Sequence, residues 1–424
     1  MQGKGLMFFV VFAIIASVAI LLVCSRVLIA LFGPGLAYRV EGFEAGNLES
    51  HEFIRFLATI SDAPVNRSTA ICVLKNGEEI YSAELAAIAA AQSSINLESY
   101  EFLEGDVTRR FLAAMTARAR AGVQVKMVVD AMGSFGTHDG YFQELRAAGG
   151  RVEWYHPLRW YSWPKINNRT HRKLLIVDGV TAFCGGADWA DEWLKPVGNK
   201  PAWRDTMFQV EGDAVPALQA VFAENWLQSA GEILTGTAQF PPVRAKGAIT
   251  ALAVNSAPQS GATRARILFQ LLLDGAQRSI DITTPYFLPD RSVRRAMTRA
   301  IKERGVKVRI LTAGKRIDHP MVRHLSHSLE GRLLKSGVEI YEYEPSMIHA
   351  KIMTVDGGWS VIGSTNFDHR SFGLNDEVNM AVVDPELAGR LLQDLETDLK
   401  EAECLTYDRW RKRSIVWRLA DLLG

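Results

Sequence analysis

The chain has 424 residues, a length that predicts two or three domains at about 100–200 residues each. Hydrophobic residues make up 48% and charged residues 22% of the sequence, which excludes a disordered chain. The net charge of +1 excludes attraction to nucleic acid through overall charge. The 4 cysteines are far apart and form no CxxC pair, which argues against a zinc ribbon, a redox motif or a disulfide scaffold.

The first predicted element is an apolar helix at the N-terminus. Residues 5–25 carry no charged side chain, and at about 1.5 Å per residue such a helix spans the roughly 30 Å of a bilayer core. A cleaved signal peptide is the alternative, but its apolar core would be too long and no convincing cleavage site is present. The sequence therefore predicts a membrane anchor within residues 1–35. Lys4 on one side against Arg26 and Arg39 on the other gives too weak a charge bias to predict its orientation.

The remaining chain contains an internal repeat. Residues 94–102 resemble residues 279–287, and each segment follows a stretch of helical period. Each then leads through a second helix to an alternating β-branched run, at residues 122–129 and 305–311. Each half thus reads helix–strand–helix–strand, which is an α/β pattern. Residues 231–250, rich in Gly, Ala and Thr, predict a linker between the halves.

A motif of histidine, lysine and aspartate occurs late in each half with the same internal spacing. The two copies are His171, Lys173 and Asp178, and His349, Lys351 and Asp356. In each copy an apolar run follows the lysine, then Asp-Gly, then a second apolar run, which predicts a β-hairpin. If the strand begins at the histidine, the histidine and lysine project from one face. A single copy would favour a surface histidine beside a solvated lysine, whereas two identical copies favour a functional site.

Two histidines with two lysines suit displacement at a phosphodiester. One neutral imidazole can attack phosphorus while a second, protonated imidazole gives a proton to the leaving alkoxide. Lysines with amide or hydroxyl donors can hold the charge that develops on the non-bridging oxygens. We expect no metal requirement, because the lysines supply the positive charge.

With these paired HxKxxxxD motifs the sequence resembles the phospholipase D superfamily, and within it the bacterial cardiolipin synthase branch. The resemblance runs from about Val40 to the C-terminus. Outside the motifs it is carried by residues 155–158, 203–205, 284–290, 341–343 and 370–379. It implies two pseudo-symmetric α-β-α sandwich halves, at residues 40–235 and 250–424, preceded by the transmembrane helix.

The resemblance also implies a reaction and a role for each motif residue. One phosphatidylglycerol would give its phosphatidyl group to a histidine and release glycerol, and a second phosphatidylglycerol would accept the group to form cardiolipin, without a cofactor. By analogy His171 forms the phosphohistidine, and His349 acts as acid and then as base. The other implied roles are phosphoryl binding by Lys173, Lys351 and Asn366, orientation of a histidine by Glu377, phosphate binding or orientation by Ser364, and buried structural anchoring by Asp178 and Asp356.

One residue departs from the family pattern. Asp188 stands where the family usually has asparagine, as Asn366 does in the second half. A carboxylate there would repel a phosphate unless it is protonated or turned away, and it could instead orient a protonated histidine.

Two stretches combine basic and aromatic residues. Residues 151–173 carry interleaved cations, tryptophans and tyrosines, which suit a membrane interface better than single-stranded nucleic acid in an anchored chain. A solvated loop with inward-packed aromatics is the plain alternative. Residues 408–423 predict a basic amphipathic helix, which either lies on the membrane surface or packs on the second half.

The sequence favours a phosphatidyltransferase anchored in the bacterial inner membrane, with phosphatidylglycerol as substrate and no nucleic-acid partner. The alternatives are a hydrolytic phospholipase D that releases phosphatidate, a nuclease or phosphodiesterase of the same superfamily, and a catalytically inactive binding protein. Whether water or an alcohol is the acceptor depends on the shape of the cleft and on water exclusion.

Overall fold

A computed structural model of the chain describes residues 46–157, 167–258 and 264–412, together with residues 12, 15–19, 38, 40 and 41. Most of the predicted anchor, the central part of the aromatic and basic stretch, and the end of the tail lie outside these residues. Over the described ranges, no helix combines the length and the apolar character needed to cross a bilayer.

Helices and strands alternate along most of the chain. The helices are α1 (His51–Ile60), α2 (Asn76–Ala90), α3 (Asp106–Arg120), α4 (Gln143–Ala147), α5 (Asp191–Leu194), α6 (Val215–Ala230), α7 (Arg264–Gly275), α8 (Arg291–Arg304), α9 (Pro320–Ser336), α10 (His369–Gly373), α11 (Pro385–Lys400) and α12 (Tyr407–Arg411), with a 3₁₀ turn at Asp139–Phe142. The strands are β1 (Asn66–Lys75), β2 (Ser94–Ser99), β3 (Gln124–Asp130), β4 (Arg151–Tyr155), β5 (Leu174–Val177), β6 (Thr181–Gly185), β7 (Thr206–Gly212), β8 (Ile249–Ser256), β9 (Ser279–Thr284), β10 (Lys307–Ala313), β11 (Glu339–Tyr343), β12 (Ile352–Val355), β13 (Trp359–Gly363), β14 (Glu377–Val383) and β15 (Ala402–Leu405).

The strands form one continuous sheet of 15 strands, in the order β15-β11-β10-β9-β12-β13-β14-β8-β1-β7-β6-β5-β2-β3-β4. From the centre outwards, β1-β7-β6-β5-β2-β3-β4 repeats as β8-β14-β13-β12-β9-β10-β11. The prediction of a repeated α/β architecture is therefore confirmed. The two halves share one sheet, because β1 and β8 pair antiparallel and join them. This pairing leaves neither strand as an open edge.

The outer and inner strands differ in direction. In each half three outer strands are parallel, β2-β3-β4 and β9-β10-β11. The inner strands are antiparallel, and β6 of the first half contacts β13 and β14 of the second. Leu174 and Ile176 of the first half thereby share one buried apolar cluster with Ile352 and Ile362 of the second. The two halves are thus packed together as well as hydrogen-bonded.

Both predicted hairpins are present, as β5–β6 and β12–β13. Asp178 and Gly179 have φ of 53° and 64°, and Asp356 and Gly357 have φ of 55° and 65°. Positive φ at two successive turn residues is the primed geometry that the Asp-Gly sequence favours. The strands begin at Leu174 and Ile352, after the lysines, so the condition that each strand begins at its histidine is not met.

The aspartates of the two motifs lie at the turns, at the far end of β5 and β12 from the histidines. The Asp178 carboxylate accepts three backbone N–H bonds, from Gln92 (2.8 Å), Ser93 (2.6 Å) and Ser94 (2.9 Å). The Asp356 carboxylate accepts the equivalent three, at 2.8, 2.6 and 2.9 Å, from the residues that lead into β9. Both side chains are half-buried rather than buried, because the turns reach the surface. Each aspartate ties its hairpin to the start of the neighbouring strand.

The predicted boundaries of the halves differ from the packing in two places. Residues 48–63 belong by sequence to the first half, but Phe53 and Leu57 of α1 lie in the apolar cluster of the second. The Trp359 indole N–H also donates to the Leu48 carbonyl (2.9 Å). The predicted linker has no helix or strand before β8, yet its Gln239 is buried and accepts from Asn96 (2.7 Å). It is therefore packed on the first half.

The beginning of the predicted amphipathic tail packs on the second half. The strand β15 pairs with β11, and α12 follows directly. The Trp410 indole N–H donates to the His327 carbonyl of α9 (2.6 Å), and its ring covers Gly331. Up to residue 412 the tail packs on the second half, which was one of the two alternatives for it. The rest of the tail lies outside the described residues.

We expect Asp178→Ala and Asp356→Ala to destabilise the protein by similar amounts, each by about 2 kcal/mol, because partly buried N–H groups lose their acceptor. Asp178→Asn should lose less stability than Asp178→Ala, since asparagine keeps an acceptor oxygen and tolerates the left-handed turn. Thermal unfolding of the purified full-length variants measures both effects. Unchanged unfolding temperatures in the alanine variants would show that these hydrogen bonds contribute no net stability.

Candidate active site

The two motifs meet because each half extends a short segment into the other. Arg204 and Asp205 precede β7, and Asp376 and Glu377 lie at the start of β14. The His171 N–H donates to the Asp376 carbonyl (2.9 Å), and the His349 N–H donates to the Arg204 carbonyl (2.7 Å). These two backbone bonds are equivalent under the repeat, and they bring both histidines into one cleft.

The side chain of His171 is backed by a carboxylate from the second half. Its Nδ1 lies 3.1 Å from both carboxylate oxygens of Glu377. Ser364 donates its hydroxyl to the same carboxylate, so it orients Glu377. Burial raises the pKa of Glu377 to about 7. Burial, with the charges of Lys173 and Lys351, holds the pKa of His171 well below its ordinary value, which favours a neutral imidazole.

The side chain of His349 is backed by a carboxylate from the first half. Its Nδ1 lies 2.9 Å from Oδ2 of Asp205, which also accepts from the Trp193 indole N–H (2.8 Å). Burial alone would raise the pKa of Asp205, but the hydrogen bond and charge of His349 and the charge of Lys351 bring it below its ordinary value. Burial lowers the pKa of His349, and Asp205 opposes that change.

The two lysines fold back onto their own motifs. Lys173 donates to the His171 carbonyl (2.8 Å), and Lys351 donates to the His349 carbonyl (2.6 Å). The Lys351 Nζ also lies 2.8 and 2.9 Å from the two ring nitrogens of His349. Burial lowers the pKa of Lys351 to about 7. The ring of Tyr100 borders the other lysine, with Lys173 Nζ 5.1 Å from its centroid.

Asp188, which stands where the family usually has asparagine, pairs with Lys173. One Asp188 oxygen lies 3.0 Å from Lys173 Nζ, and the other accepts from the Ser99 hydroxyl and the Tyr100 N–H, both at 3.1 Å. The carboxylate is thus turned to the lysine, not to a histidine. In the second half the equivalent Asn366 is also buried, and its Oδ1 accepts no hydrogen bond from the residues described. Only the first-half lysine is therefore neutralised by this position.

The structure brings together nearly all the residues expected from the sequence. His171, Lys173, Asp188, His349, Lys351, Ser364, Asn366 and Glu377 are all buried around the cleft. Asp178 and Asp356 lie away from it, at the turns. Within the described ranges, no group of three or more histidine, cysteine, aspartate or glutamate side chains is arranged to hold a metal ion.

Sequence reasoning missed Asp205 and Tyr100 as members of the site. The signal for Asp205 was present, because Arg204-Asp205 precedes β7 where Asp376-Glu377 begins β14. Recognising it needed the two halves to be aligned beyond their motifs. Tyr100 follows β2 and its ring lies 5.2 Å from that of His171, a contact that no spacing in the sequence reveals.

The geometry provides two imidazoles and two lysine amino groups, all buried in one site. Each imidazole has its Nδ1 held by a carboxylate, which leaves Nε2 as the reacting nitrogen. A phosphoryl group between them could be attacked by one Nε2 while the other transfers a proton. The site can therefore support acid–base and nucleophilic catalysis of phosphoryl transfer.

The sequence of the chain is similar to those of known proteins of one family. Residues 85–197 and 270–399 match the family described as "Cardiolipin synthase, PLD-like domain". The chain is 34% identical over 373 residues to the cardiolipin synthase of Geobacillus kaustophilus, covering 87% of this chain and 74% of that protein. It is 33% identical over 377 residues to the major cardiolipin synthase of Bacillus subtilis, covering 88% and 78%.

A solved structure resembles the fold over a similar extent. The phosphatidylserine synthase of Haemophilus influenzae superposes with a TM-score of 0.67 at 15% identity, covering 88% of this chain and 99% of that one. At this identity the likeness concerns the fold alone.

The two carboxylates behind the histidines should affect stability in opposite ways with pH. Because the folded-state pKa of Glu377 is raised from 4.5 to about 7, the folded protein binds the proton more tightly and loses stability as pH rises through that range. Glu377→Gln should therefore gain unfolding temperature relative to the wild type as pH rises. Because the folded-state pKa of Asp205 is lowered, its ionised carboxylate stabilises the fold at every pH above its unfolded-state pKa. Asp205→Asn should therefore be less stable than the wild type at those pH values.

Thermal unfolding between about pH 5 and pH 8 measures both differences. Parallel curves for Glu377→Gln and the wild type would contradict the raised pKa. An unchanged Asp205→Asn would contradict the stabilising pair with His349.

Proposed function

The chain belongs to the cardiolipin synthase family with phospholipase D-like domains, and on that premise we propose that it transfers the phosphatidyl group of one phosphatidylglycerol to a second, producing cardiolipin and glycerol. The observation that carries the proposal is the crossed pairing of His171 with Glu377 and of His349 with Asp205 in one cleft. Two oriented imidazoles are what a two-step displacement at phosphorus requires.

In the proposed first step, His171 Nε2 attacks the phosphorus of phosphatidylglycerol. The bond from phosphorus to the glycerol oxygen breaks, and His349 gives its proton to that oxygen. The pKa of both histidines is lowered by burial, but that of His171 falls well below its ordinary value, whereas the ionised Asp205 opposes the change at His349, which supports the assignment. A neutral imidazole is the nucleophile and an imidazolium is the acid.

In the second step, the headgroup hydroxyl of another phosphatidylglycerol replaces glycerol. His349, now neutral, takes the proton of that hydroxyl while its oxygen attacks phosphorus, and the bond from phosphorus to His171 breaks. Lys351 and Asn366 would hold the non-bridging oxygens, because Lys351 has no carboxylate at the equivalent of Asp188 and Asn366 is a buried polar group. Lys173, already paired with Asp188, would contribute less charge.

The membrane location is part of the proposal. Both substrates are lipids, and residues 5–25 carry no charged side chain. We propose that residues 1–35 anchor the enzyme in the bacterial inner membrane, as a single helix of bilayer length.

The direct test is a time course of phosphatidylglycerol turnover by the purified full-length enzyme, followed by lipid mass spectrometry. Cardiolipin and glycerol should appear in equal amounts. His171→Ala and His349→Ala should each lose at least about 10³-fold in rate, because each removes a reacting group. His51→Ala, an exposed histidine on α1, is the matched control and should keep the wild-type rate.

Acid quenching during turnover, followed by peptide mapping, identifies the nucleophile. The adduct should lie on the peptide that contains His171. An adduct on His349 would reverse the assignment, and phosphatidate in place of cardiolipin would make the enzyme a hydrolase.

The pair Asp188 and Asn366 offers a reciprocal test of where phosphate binds. Asp188→Asn frees the charge of Lys173, so KM for phosphatidylglycerol should fall by roughly tenfold, the equivalent of about 1.4 kcal/mol. Asn366→Asp places a carboxylate beside Lys351 and should raise KM by a similar factor. Steady-state kinetics of both variants measures this. Equal KM values in the two variants would show that phosphate binding does not depend on these charges.

A further inference from the structure

Three consecutive residues of the first half, Trp203, Arg204 and Asp205, all contact His349 of the second. The Arg204 carbonyl accepts from the His349 N–H (2.7 Å), and Oδ2 of Asp205 lies 2.9 Å from its Nδ1. The Trp203 ring lies 5.2 Å from the imidazole, centroid to centroid, and the two planes are inclined by 41°. The segment therefore presents a backbone acceptor, a carboxylate and an aromatic ring to one histidine.

The equivalent segment of the second half lacks the aromatic ring. Asp376 and Glu377 make the same two contacts with His171, one through a carbonyl oxygen and one through a carboxylate. The residue before them is Asn375, which is buried and donates its amide to Glu377 (3.4 Å). Positions 203 and 375 are thus where the two segments differ in what they offer the histidine.

The aromatic ring that does border His171 also faces a lysine. Tyr100 lies 5.2 Å from the imidazole, with the planes inclined by 67°. The Nζ of Lys173 lies over the same Tyr100 ring, 5.1 Å from its centroid. The face of Tyr100 is therefore already paired with an ammonium group.

The Trp203 ring is held in place by the packing around it. It lies against apolar clusters of both halves, and its backbone N–H donates to the Glu192 carbonyl (2.8 Å). Trp193 packs 4.5 Å from it and donates its indole N–H to Asp205 (2.8 Å). The Trp193 ring is nearly perpendicular to the imidazole of His349, at 83°. Of the two indoles, Trp203 is therefore the one closer to a stacked arrangement.

The charged groups around His349 act on its protonation in opposite directions. Burial, with the charges of Lys351 and Lys173, lowers the pKa of His349, and Asp205 opposes that change. His171 is also close enough for the charge of His349 to lower its pKa. An additional favourable contact with the protonated imidazole therefore affects which histidine carries the proton.

We propose that the indole face of Trp203 stabilises the protonated form of His349, so that this histidine rather than His171 is the acid of the first step. The inference rests on the proposed function, in which His349 gives a proton to the glycerol oxygen. An aromatic face attracts a cation within about 6 Å of its centre, and most strongly where both groups are buried. Trp203 is thus a positioning residue, and Asn375 gives His171 no equivalent stabilisation.

Histidine NMR tests the effect without using turnover. The full-length protein carries isotope-labelled histidine in detergent micelles, and the alanine variants assign the signals of His171 and His349. In Trp203→Leu the midpoint of the His349 titration should fall by about one pH unit, because a buried cation loses its aromatic partner. Trp203→Phe should lower it less, since a phenyl face attracts a cation more weakly than an indole. The His171 midpoint should stay where it is.

Trp226→Leu is the matched control. Trp226 is buried, and its ring also faces a cation, with the Arg151 guanidinium 4.8 Å from its centroid. The substitution should lower the unfolding temperature, as Trp203→Leu should, because both leave a cavity. It should not move the His349 midpoint. If Trp203→Leu does not fold, Trp203→Phe provides the test, because it keeps a packed ring.

Three outcomes of the titrations would overturn the inference. They are an unchanged His349 midpoint in the Trp203 variants, an equal fall of the His171 midpoint, and an equal fall in Trp226→Leu.

The pH profile of turnover provides a second readout. The reaction needs a neutral His171 and a protonated His349, so the alkaline limb of kcat/KM follows the loss of the proton from His349. In Trp203→Leu this limb should move to lower pH by as much as the NMR midpoint does, while the acid limb stays in place. A uniform fall in rate at every pH would show that Trp203 only packs or contacts substrate, and would overturn the inference.

The two readouts separate the two proposals. If the wild type turns over no phosphatidylglycerol but the His349 midpoint falls in Trp203→Leu, the proposed function fails and the role of Trp203 stands. If turnover by the wild type is normal and the midpoint does not move in the variant, the function stands and the role of Trp203 fails.

Discussion

The exchange of carboxylates between the halves is the constraint on which the site depends. Each histidine takes its backbone hydrogen bond and its orienting carboxylate from the half that does not contain it, through Arg204-Asp205 in one direction and Asp376-Glu377 in the other. Neither half therefore contains both a motif histidine and the carboxylate that orients it. The shared sheet and the common apolar cluster around β5 and β12 keep the two exchanged segments in register.

Burial lowers the pKa of both histidines, and the charged groups around them differ between the halves. Desolvation keeps His171 neutral, and it moves the pKa of Lys351 and that of Glu377 to about 7, so several groups can change protonation near neutral pH. Asp205 stays ionised because His349 and Lys351 surround it. Asp188 adds a second asymmetry by neutralising Lys173. The repeat supplies the framework, and in the proposed mechanism a few positions that differ between the halves distinguish the nucleophile from the acid.

Much of the fold and part of the site could be predicted from the sequence, because these features depend on residues close together in the chain. The repeat, the hairpins and the paired motifs depend on short patterns of apolar residues and Asp-Gly turns. The partners across the cleft could not be predicted in this way, since Asp205 and His349 are brought together only by the packing of the halves. Asp188 showed as a departure, but its pairing with Lys173 depended on which way the side chain turns. Residues 48–63 adjoin the first half in sequence but pack in the core of the second, because sequence proximity does not determine which core a helix completes.

The position of α1 has a consequence for the order of assembly during synthesis. Residues 48–63 leave the ribosome before any of the strands, yet the core they complete contains Leu252, Phe269 and Trp359. The helix must therefore wait, with its apolar face unburied, until most of the chain has been made. Contacts of such long sequence separation close late and slow folding. A ribosome-bound chain that ends before β13 would hold a first half with its own apolar cluster and an α1 that has no Trp359 to pack against.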